Sequence, residues 1–309
     1  MSLLARVLGN GPSGFGYGST AEDVTEGLSL DGKTMLVTGC NSGLGLETIR
    51  VLAKRGARVI AAARTEAKAQ DATAGLPGTF VPVACELSDP ASVQACVDTV
   101  SKLEWKLDAI ICNAGIMMLP TLQTAHGYEL QFFTNHIGHF ILVTGLLDRL
   151  TENGRVVMLS SEGHKRAPKA GIEIDNLDGK RGYGGLKMYG QSKLANVLFA
   201  KELSRRFAGT KRTANAVHPG VIATNLARHL NPVMLAAMWL AKPLALKTVE
   251  QGAATQVYAA THPSLHDVTG EYLASSNIAM PREDANDPEL ARKLWDASEK
   301  IAAEVTSTS

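Results

Sequence analysis

Short apolar runs alternate with amphipathic stretches along most of the chain. Thr34-Met35-Leu36-Val37 is an apolar run of strand length, and Leu46, Ile49, Val51, Leu52 and Ala53 behind it recur at helical spacing. The alternation continues, with strands predicted over 58–63, 80–85, 108–112, 155–160, 213–218 and 271–274. Helices are predicted over 66–73, 89–102, 128–150 and 190–207, the second opened by Asp89 as cap and Pro90 at its first position. Such alternation implies an α/β fold, a parallel sheet of about seven strands with helices on both faces and right-handed crossovers. At 309 residues, one large domain over 30–309 is expected behind a leader over 1–29. The leader's Gly9–Gly18 stretch reads as flexible.

Between the first strand and its helix lies Thr38-Gly39-Cys40-Asn41-Ser42-Gly43-Leu44-Gly45. Glycines there let the backbone turn tightly and approach a pyrophosphate, while the new helix offers free N–H groups and a positive dipole end. The spacing is G-x-x-x-G-x-G rather than G-x-G-x-x-G, and its strand and helix context makes it a nucleotide-holding turn of a Rossmann-type, doubly wound fold. Ligands then gather beyond the carboxyl ends of the strands. At the end of the second strand, where an adenosine ribose would lie, an acid would favour NAD(H). This chain has Ala63 and then Arg64. An arginine there can meet the 2′-phosphate of NADP(H), so NADP(H) is the preferred cofactor, with NAD(H) the alternative if Arg64 is only a solvated surface residue.

Several further runs stand in a recognisable order: Asn113-Ala114-Gly115 after the fourth strand, Asn135 within Phe133-Thr134-Asn135-His136, Ser161 after the fifth strand, Tyr189 and Lys193 four apart, and Pro219-Gly220 after the sixth strand. With the glycine turn, these make the chain resemble the short-chain dehydrogenase/reductases over nearly its whole length. Within that family it is most similar to the retinol-dehydrogenase-like branch, which includes WW-domain oxidoreductases and chloroplast-envelope reductase-like proteins. The runs Asn135–Phe140, Ser192–Phe199 and His218-Pro219-Gly220 support this, as does the leader 19–27. No WW domain is present.

The resemblance implies an oxidoreductase acting on CH–OH or C=O groups. It places cofactor contacts on Gly39, Asn41, Ser42, Gly43, Leu44, Gly45, Arg64, Glu86, Leu87, Asn113, Ala114, Gly115, Tyr189, Lys193, Pro219, Gly220, Val221 and Thr224. Glu86 stands where the family usually has aspartate at the adenine. The catalytic set it implies is Asn135, Ser161, Tyr189 and Lys193. A carbonyl that accepts hydride develops charge on oxygen and needs a proton donor. A tyrosine with a pKa of about 10 is too weak an acid near neutrality. Lys193, one helical turn on, is expected to lower that value. By resemblance, Lys193 also holds the nicotinamide ribose, Ser161 holds the substrate oxygen, and Asn135 holds a water that joins Lys193 to solvent. Alone, Tyr189 and Lys193 would read as an exposed helix pair.

The remaining features narrow the picture. Net charge is +1 with no basic tract, which argues against nucleic acid as a partner. Cys40, Cys85, Cys96 and Cys112 show no zinc or C-x-x-C spacing, so a reduced, cytoplasmic setting is expected, with Cys40 open to thiol reagents. His136 and His139, three apart, read as packing residues rather than metal ligands. His164, three residues past Ser161, is within reach of substrate but is not read as an acid, and His218 is expected to order the Pro219-Gly220 turn. The glycine-rich 171–185 reads as a mobile loop near the site.

The apolar segment 225–247 is expected to cover the substrate, a lipophilic carbonyl or alcohol. It is equally compatible with a homo-oligomer contact or a membrane-surface patch, and it is too short to be a transmembrane segment. Two other classes stay open: a non-catalytic, nucleotide-binding redox sensor, and a sugar-nucleotide epimerase. The short stretch after Thr224 disfavours the epimerase.

Overall fold

The structure is a computed structural model and describes residues 4, 7–222 and 246–307. The strands are β1 (Thr34–Thr38), β2 (Arg58–Ala63), β3 (Thr79–Ala84), β4 (Leu107–Cys112), β5 (Thr124–Ala125), β6 (Tyr128–Glu129), β7 (Leu150–Leu159), β8 (Thr213–His218), β9 (Tyr272–Ala274) and β10 (Asn277–Ile278). Eight of them form one sheet in the order β10-β9-β8-β7-β4-β1-β2-β3, and β5 pairs with β6 in a separate hairpin. Every pairing in the large sheet is parallel except that of β9 with β10. The strand beyond the expected seven, β10, is a two-residue edge, too short to leave a periodic signal in the sequence.

The longer helices are α1 (Gly43–Lys54), α2 (Glu66–Thr73), α3 (Pro90–Ser101), α4 (Gly138–Leu146), α5 (Gly185–Arg206), α6 (Val249–Thr261) and α7 (Pro288–Ser307). Their starts follow local chemistry. Asp89 accepts from the Ala91 N–H with Pro90 at the first position of α3, and Thr248 with Gln251 closes a capping box on α6.

Alternate residues of each central strand enter opposite cores. Leu36, Ile110, Val156 and Met158 face one core with α3, α4, α5 and α7. Met35, Val37, Ile111 and Val157 face the other with α1 and α6. Both faces are covered, which is why these strands read as continuous apolar runs.

Three expectations change. The helix expected over 128–150 is divided into β6, a single turn Leu130–Phe132, a π-helical segment Phe133–Ile137, α4 and a 3-10 turn Leu147–Arg149. Where α4 begins, a Cβ on Gly138 would lie 2.3 Å from the Leu87 carbonyl oxygen, so the helix lies directly on the loop after β3. The stretch 171–185, expected to be mobile, is instead tied down. Asn176 accepts from the Arg181 N–H (2.8 Å), and the Tyr183 hydroxyl donates to the Leu119 carbonyl (2.7 Å).

From Ser13 on, the leader, expected to be flexible, is docked. Asn277 accepts from the Ser13 N–H (3.0 Å) and donates to the Phe15 carbonyl (3.0 Å). Phe15 sits edge-on to Tyr258 and His262. Gln251 donates to the Gly18 carbonyl (3.0 Å), and Glu22 pairs with Arg50 and Lys54. Ala21 and Val24 are buried in the α1–α6 core. The stretch is short on apolar periodicity because it packs through turns and backbone bonds. The Val24→Ala change is expected to cost about 2 kcal/mol in urea unfolding, as for other buried aliphatic truncations. An unchanged midpoint would return the leader to a loosely held tail.

Candidate active site

The turn after β1 is shaped by three different demands on glycine. Gly39 (φ +68°) and Gly43 (φ +52°) occupy the left-handed region, while a Cβ on Gly45 would lie 2.1 Å from the Gly39 carbonyl oxygen. Gly39 also lies against Ala114, where a Cβ would come within 3.0 Å of its Cα. Ser42 caps α1 in extended conformation without a side-chain bond, and the first turn carries no acid. The first N–H groups of α1 are therefore available to an anion.

The fourth strand is locked to this turn. Asn113 donates to the Thr38 carbonyl (2.8 Å) and accepts from Gln256 (3.1 Å), and Ala114 N–H donates to the Thr38 hydroxyl (3.0 Å). Gly39, Asn41, Ser42, Gly43, Leu44, Gly45, Arg64, Glu86, Leu87, Asn113, Ala114 and Gly115 all line one cavity of about 410 Å³. Arg64 is exposed at its rim. Glu86 accepts from the hydroxyl (2.9 Å) and N–H (3.2 Å) of Ser88. Ile116, Leu119, Gln123, Leu130 and Thr134 extend the wall, and sequence reasoning missed them. Their only signal was nearness in sequence to Gly115 and Asn135.

Beyond Gly115 and Leu159 the cavity wall gives way to the other expected residues. β7 ends at Leu159, and its carbonyl accepts from the Lys193 ammonium (2.9 Å) and from Asn196 (3.0 Å). Ser160 donates to the Lys193 carbonyl (2.8 Å), so the first of the two serines holds α5 and leaves Ser161 facing the site. Ser161 accepts the Gly163 N–H (3.0 Å), and a Cβ on Gly163 would lie 2.8 Å from the Tyr189 ring and 3.3 Å from the Ser161 hydroxyl, so the serine and the phenol flank the same glycine.

Tyr189 and Lys193 are buried, with the ammonium 5.8 Å from the phenol ring centre. Burial holds the Tyr189 pKa above its ordinary value, opposed by the Ser161 hydroxyl. Burial also brings Lys193 down to about 8. The expected lowering of Tyr189 by Lys193 is not the direction here, because desolvation outweighs the other influences on the phenol. Asn135, in the π-helical segment, accepts from the Ile116 N–H (2.8 Å) and donates to the Ile116 carbonyl (2.9 Å) and the Ser192 hydroxyl (2.9 Å). Pro219, Gly220 and Val221 follow β8, with Gly220 at φ +94° against Lys247 and Val221 exposed. Thr224 and all of 225–247 except its last two residues lie outside the described residues.

The histidines serve the framework. His139 bridges the Thr38 hydroxyl (2.9 Å) and the Asn135 carbonyl (3.0 Å), and His136 bonds the Ser298 hydroxyl (2.8 Å). Burial lowers both, to about 4 and about 3 respectively. His164, expected to touch substrate, is fully buried and bonded through both ring nitrogens. His218 accepts from the Glu162 N–H (3.2 Å) and so orders the turn after Ser161 rather than the one after β8. Cys40, expected to react with thiol reagents, is buried, and burial pushes its thiol up to about 12.

A family described as short chain dehydrogenase matches residues 33–234. The chain belongs to the short-chain dehydrogenase/reductase family. It is 42% identical to short-chain dehydrogenase TIC 32 A, chloroplastic, of Brassica napus, over 97% of this chain and 98% of that one. To human retinol dehydrogenase 14 it is 37% identical, over 87% of this chain and 86% of that one. Among solved structures it is similar to an uncharacterised protein of Mycobacterium Paratuberculosis, with a TM-score of 0.75 and 33% identity over 91% of this chain and 97% of that one. This short-chain dehydrogenase is thus an NAD(P)-dependent oxidoreductase with a Rossmann-type fold. The glycine turn fits a dinucleotide, since Gly39 and Gly45 let it pack tightly on itself and on the fourth strand while the start of α1, Gly43–Gly45, lines the cavity.

Proposed function

We propose that this dehydrogenase interconverts a lipophilic carbonyl and its alcohol with a preference for NADP(H), Tyr189 carrying the proton. The observation behind this reading is that Ser161 and the Tyr189 phenol flank Gly163 beyond the wall of the glycine-lined cavity, with the Lys193 ammonium 5.8 Å from the phenol ring centre. When bound, the nicotinamide supplies or accepts the hydride. Ser161 accepts the Gly163 N–H on one lone pair, which holds its oxygen in place, and its O–H can turn to donate to the substrate oxygen. Tyr189 then gives its proton to that oxygen, and in oxidation the tyrosinate takes it back. Lys193, fixed by the Leu159 carbonyl with its ammonium 5.8 Å from the phenol ring centre, supplies positive charge that favours the phenolate and opposes the effect of burial. Asn135 holds the 116 backbone and Ser192, and so keeps α5 at a fixed distance from the cavity wall.

The lipophilic substrate class rests on the apolar 225–247 segment and on the names of the retinol dehydrogenases among the relatives. The NADP(H) preference rests on Arg64 at the cavity rim, which with Ala63 takes the place of an acid at the end of β2.

Changing Tyr189→Phe is expected to lower kcat roughly 100-fold or more while nucleotide still binds. Turnover near wild type would remove the proton-transfer role. Carbonyl reduction needs Tyr189 protonated and Lys193 charged. Its kcat/KM is therefore expected to fall as pH rises through about 8, where Lys193 loses its proton, whereas alcohol oxidation gains from deprotonation of Tyr189. A reduction rate flat across that range would contradict the assignment. In fluorescence titrations, Arg64→Ala is expected to weaken NADPH by about 1.5–3 kcal/mol, roughly ten- to a hundredfold, with NADH little changed. Equal losses for the two would place the 2′-phosphate elsewhere.

A further inference from the structure

We propose that His164 is a positioning residue for Ser161, acting through a single hydrogen bond from its Nδ1–H to the Ser161 carbonyl. The inference rests on the reading of Ser161 and Tyr189 given above. His164 lies three residues beyond Ser161 in a 3-10 turn, Glu162–Arg166, and its side chain is fully buried. Its Nε2 lies 2.9 Å from the Arg282 N–H. A backbone N–H can only donate, so Nε2 is a lone-pair acceptor and the ring's proton sits on Nδ1. That Nδ1 is 2.6 Å from the Ser161 carbonyl oxygen, which also accepts the His164 N–H at 3.0 Å. One tautomer therefore satisfies both ends, and burial disfavours the charged form that would spoil it.

The bond acts on the site through the peptide that follows Ser161. Two donors on the Ser161 carbonyl fix that peptide plane, and with it the path to Gly163. The Gly163 N–H holds the Ser161 hydroxyl (3.0 Å), and its Cα faces the Tyr189 ring so closely that a Cβ would lie 2.8 Å from Cε1. A tilt at Ser161 thus moves both the serine rotamer and the surface against which the phenol rests. At its other end the imidazole is held by a distant part of the chain. Arg282 donates through its guanidinium to the Ala167 (2.8 Å) and Pro168 (2.7 Å) carbonyls and pairs with Asp284 (2.8 Å). The loop before α7 thereby braces the turn that carries Ser161. Small displacements of a reacting group are costly in rate, about 100-fold for 1 Å.

Two near-isosteres separate the two bonds. Asparagine places an N–H where Nδ1 stands and gives up Nε2, and glutamine reaches the Nε2 position and gives up Nδ1. The full chain is assayed with NADPH and decanal as a lipophilic carbonyl probe, beside Tyr189→Phe. Amide hydrogen exchange over 161–164 is followed in the same variants without substrate. His164→Asn is expected to keep kcat within about threefold and to keep exchange protection. His164→Gln is expected to lose roughly tenfold or more in kcat, with KM for NADPH and the unfolding midpoint matching those of His164→Asn. Equal loss in both variants with a lowered midpoint would reduce His164 to a packing residue. Wild-type kcat and protection in both would remove the role altogether. Full turnover by Tyr189→Phe would bring down the site reading itself, and this inference with it. An inactive Tyr189→Phe beside indistinguishable Asn and Gln variants would overturn the positioning role alone.

Discussion

The carbonyl of Leu159 is the point on which the reactive half of the molecule depends. A parallel strand that ends at the carboxyl edge of its sheet leaves its last carbonyl without a ladder partner, and a buried carbonyl must find donors elsewhere. Here the donors are the Lys193 ammonium and the Asn196 amide, both from α5. The helix is drawn against the strand end by the strand's own unmet need. Ser160 adds a bond in the opposite direction, to the Lys193 carbonyl. Once β7 and α5 are joined in this way, Ser161 and Tyr189 meet without further adjustment.

The nucleotide half is joined to this one by a chain of polar contacts. The Thr38 hydroxyl, at the end of β1, meets the Ala114 N–H and His139. His139 reaches the Asn135 carbonyl, and the Asn135 side chain takes both polar groups of Ile116 and reaches Ser192 on α5. The Thr38, Asn135, His139 and Ser192 side chains are buried, so their contacts are costly to lose, while Ala114 and Ile116 are half-buried at the cavity wall. The glycine turn, the Asn113-Ala114-Gly115 loop and α5 are held in one arrangement before any ligand arrives. Gly138 permits the same closeness on the other side, where α4 lies on the Leu87 carbonyl.

The docked leader extends this economy to the opposite core. Its bonds include side-chain amides on backbone, Asn277 with Ser13 and Phe15 and Gln251 with Gly18, beside the ion pairs of Glu22 with Arg50 and Lys54. The helix it covers, α6, also supplies Gln256 to Asn113. The leader and the nucleotide turn therefore share a support, although they are far apart in sequence.

The sequence by itself determined the alternation of strands and helices, the position of the glycine turn and the identity of the residues gathered at the strand ends. Those features are local. Apolar periodicity, capping residues and positive-φ glycines act within a few residues, and the short-chain dehydrogenase runs are contiguous. The choice of Ser161 over Ser160 was also legible, but only through resemblance, since nothing local separates two adjacent serines. Tertiary structure decided that Ser160 turns inward to α5, that His164 and His218 brace the Ser161 turn, and that the leader and 171–185 are held in place. It also decided the direction of the Tyr189 shift. A helical spacing of four brings a cation beside a phenol, but the depth at which the pair is buried is set by the sheet, the 3-10 turn and α5 together. Desolvation is a property of that assembly, and no window of sequence contains it.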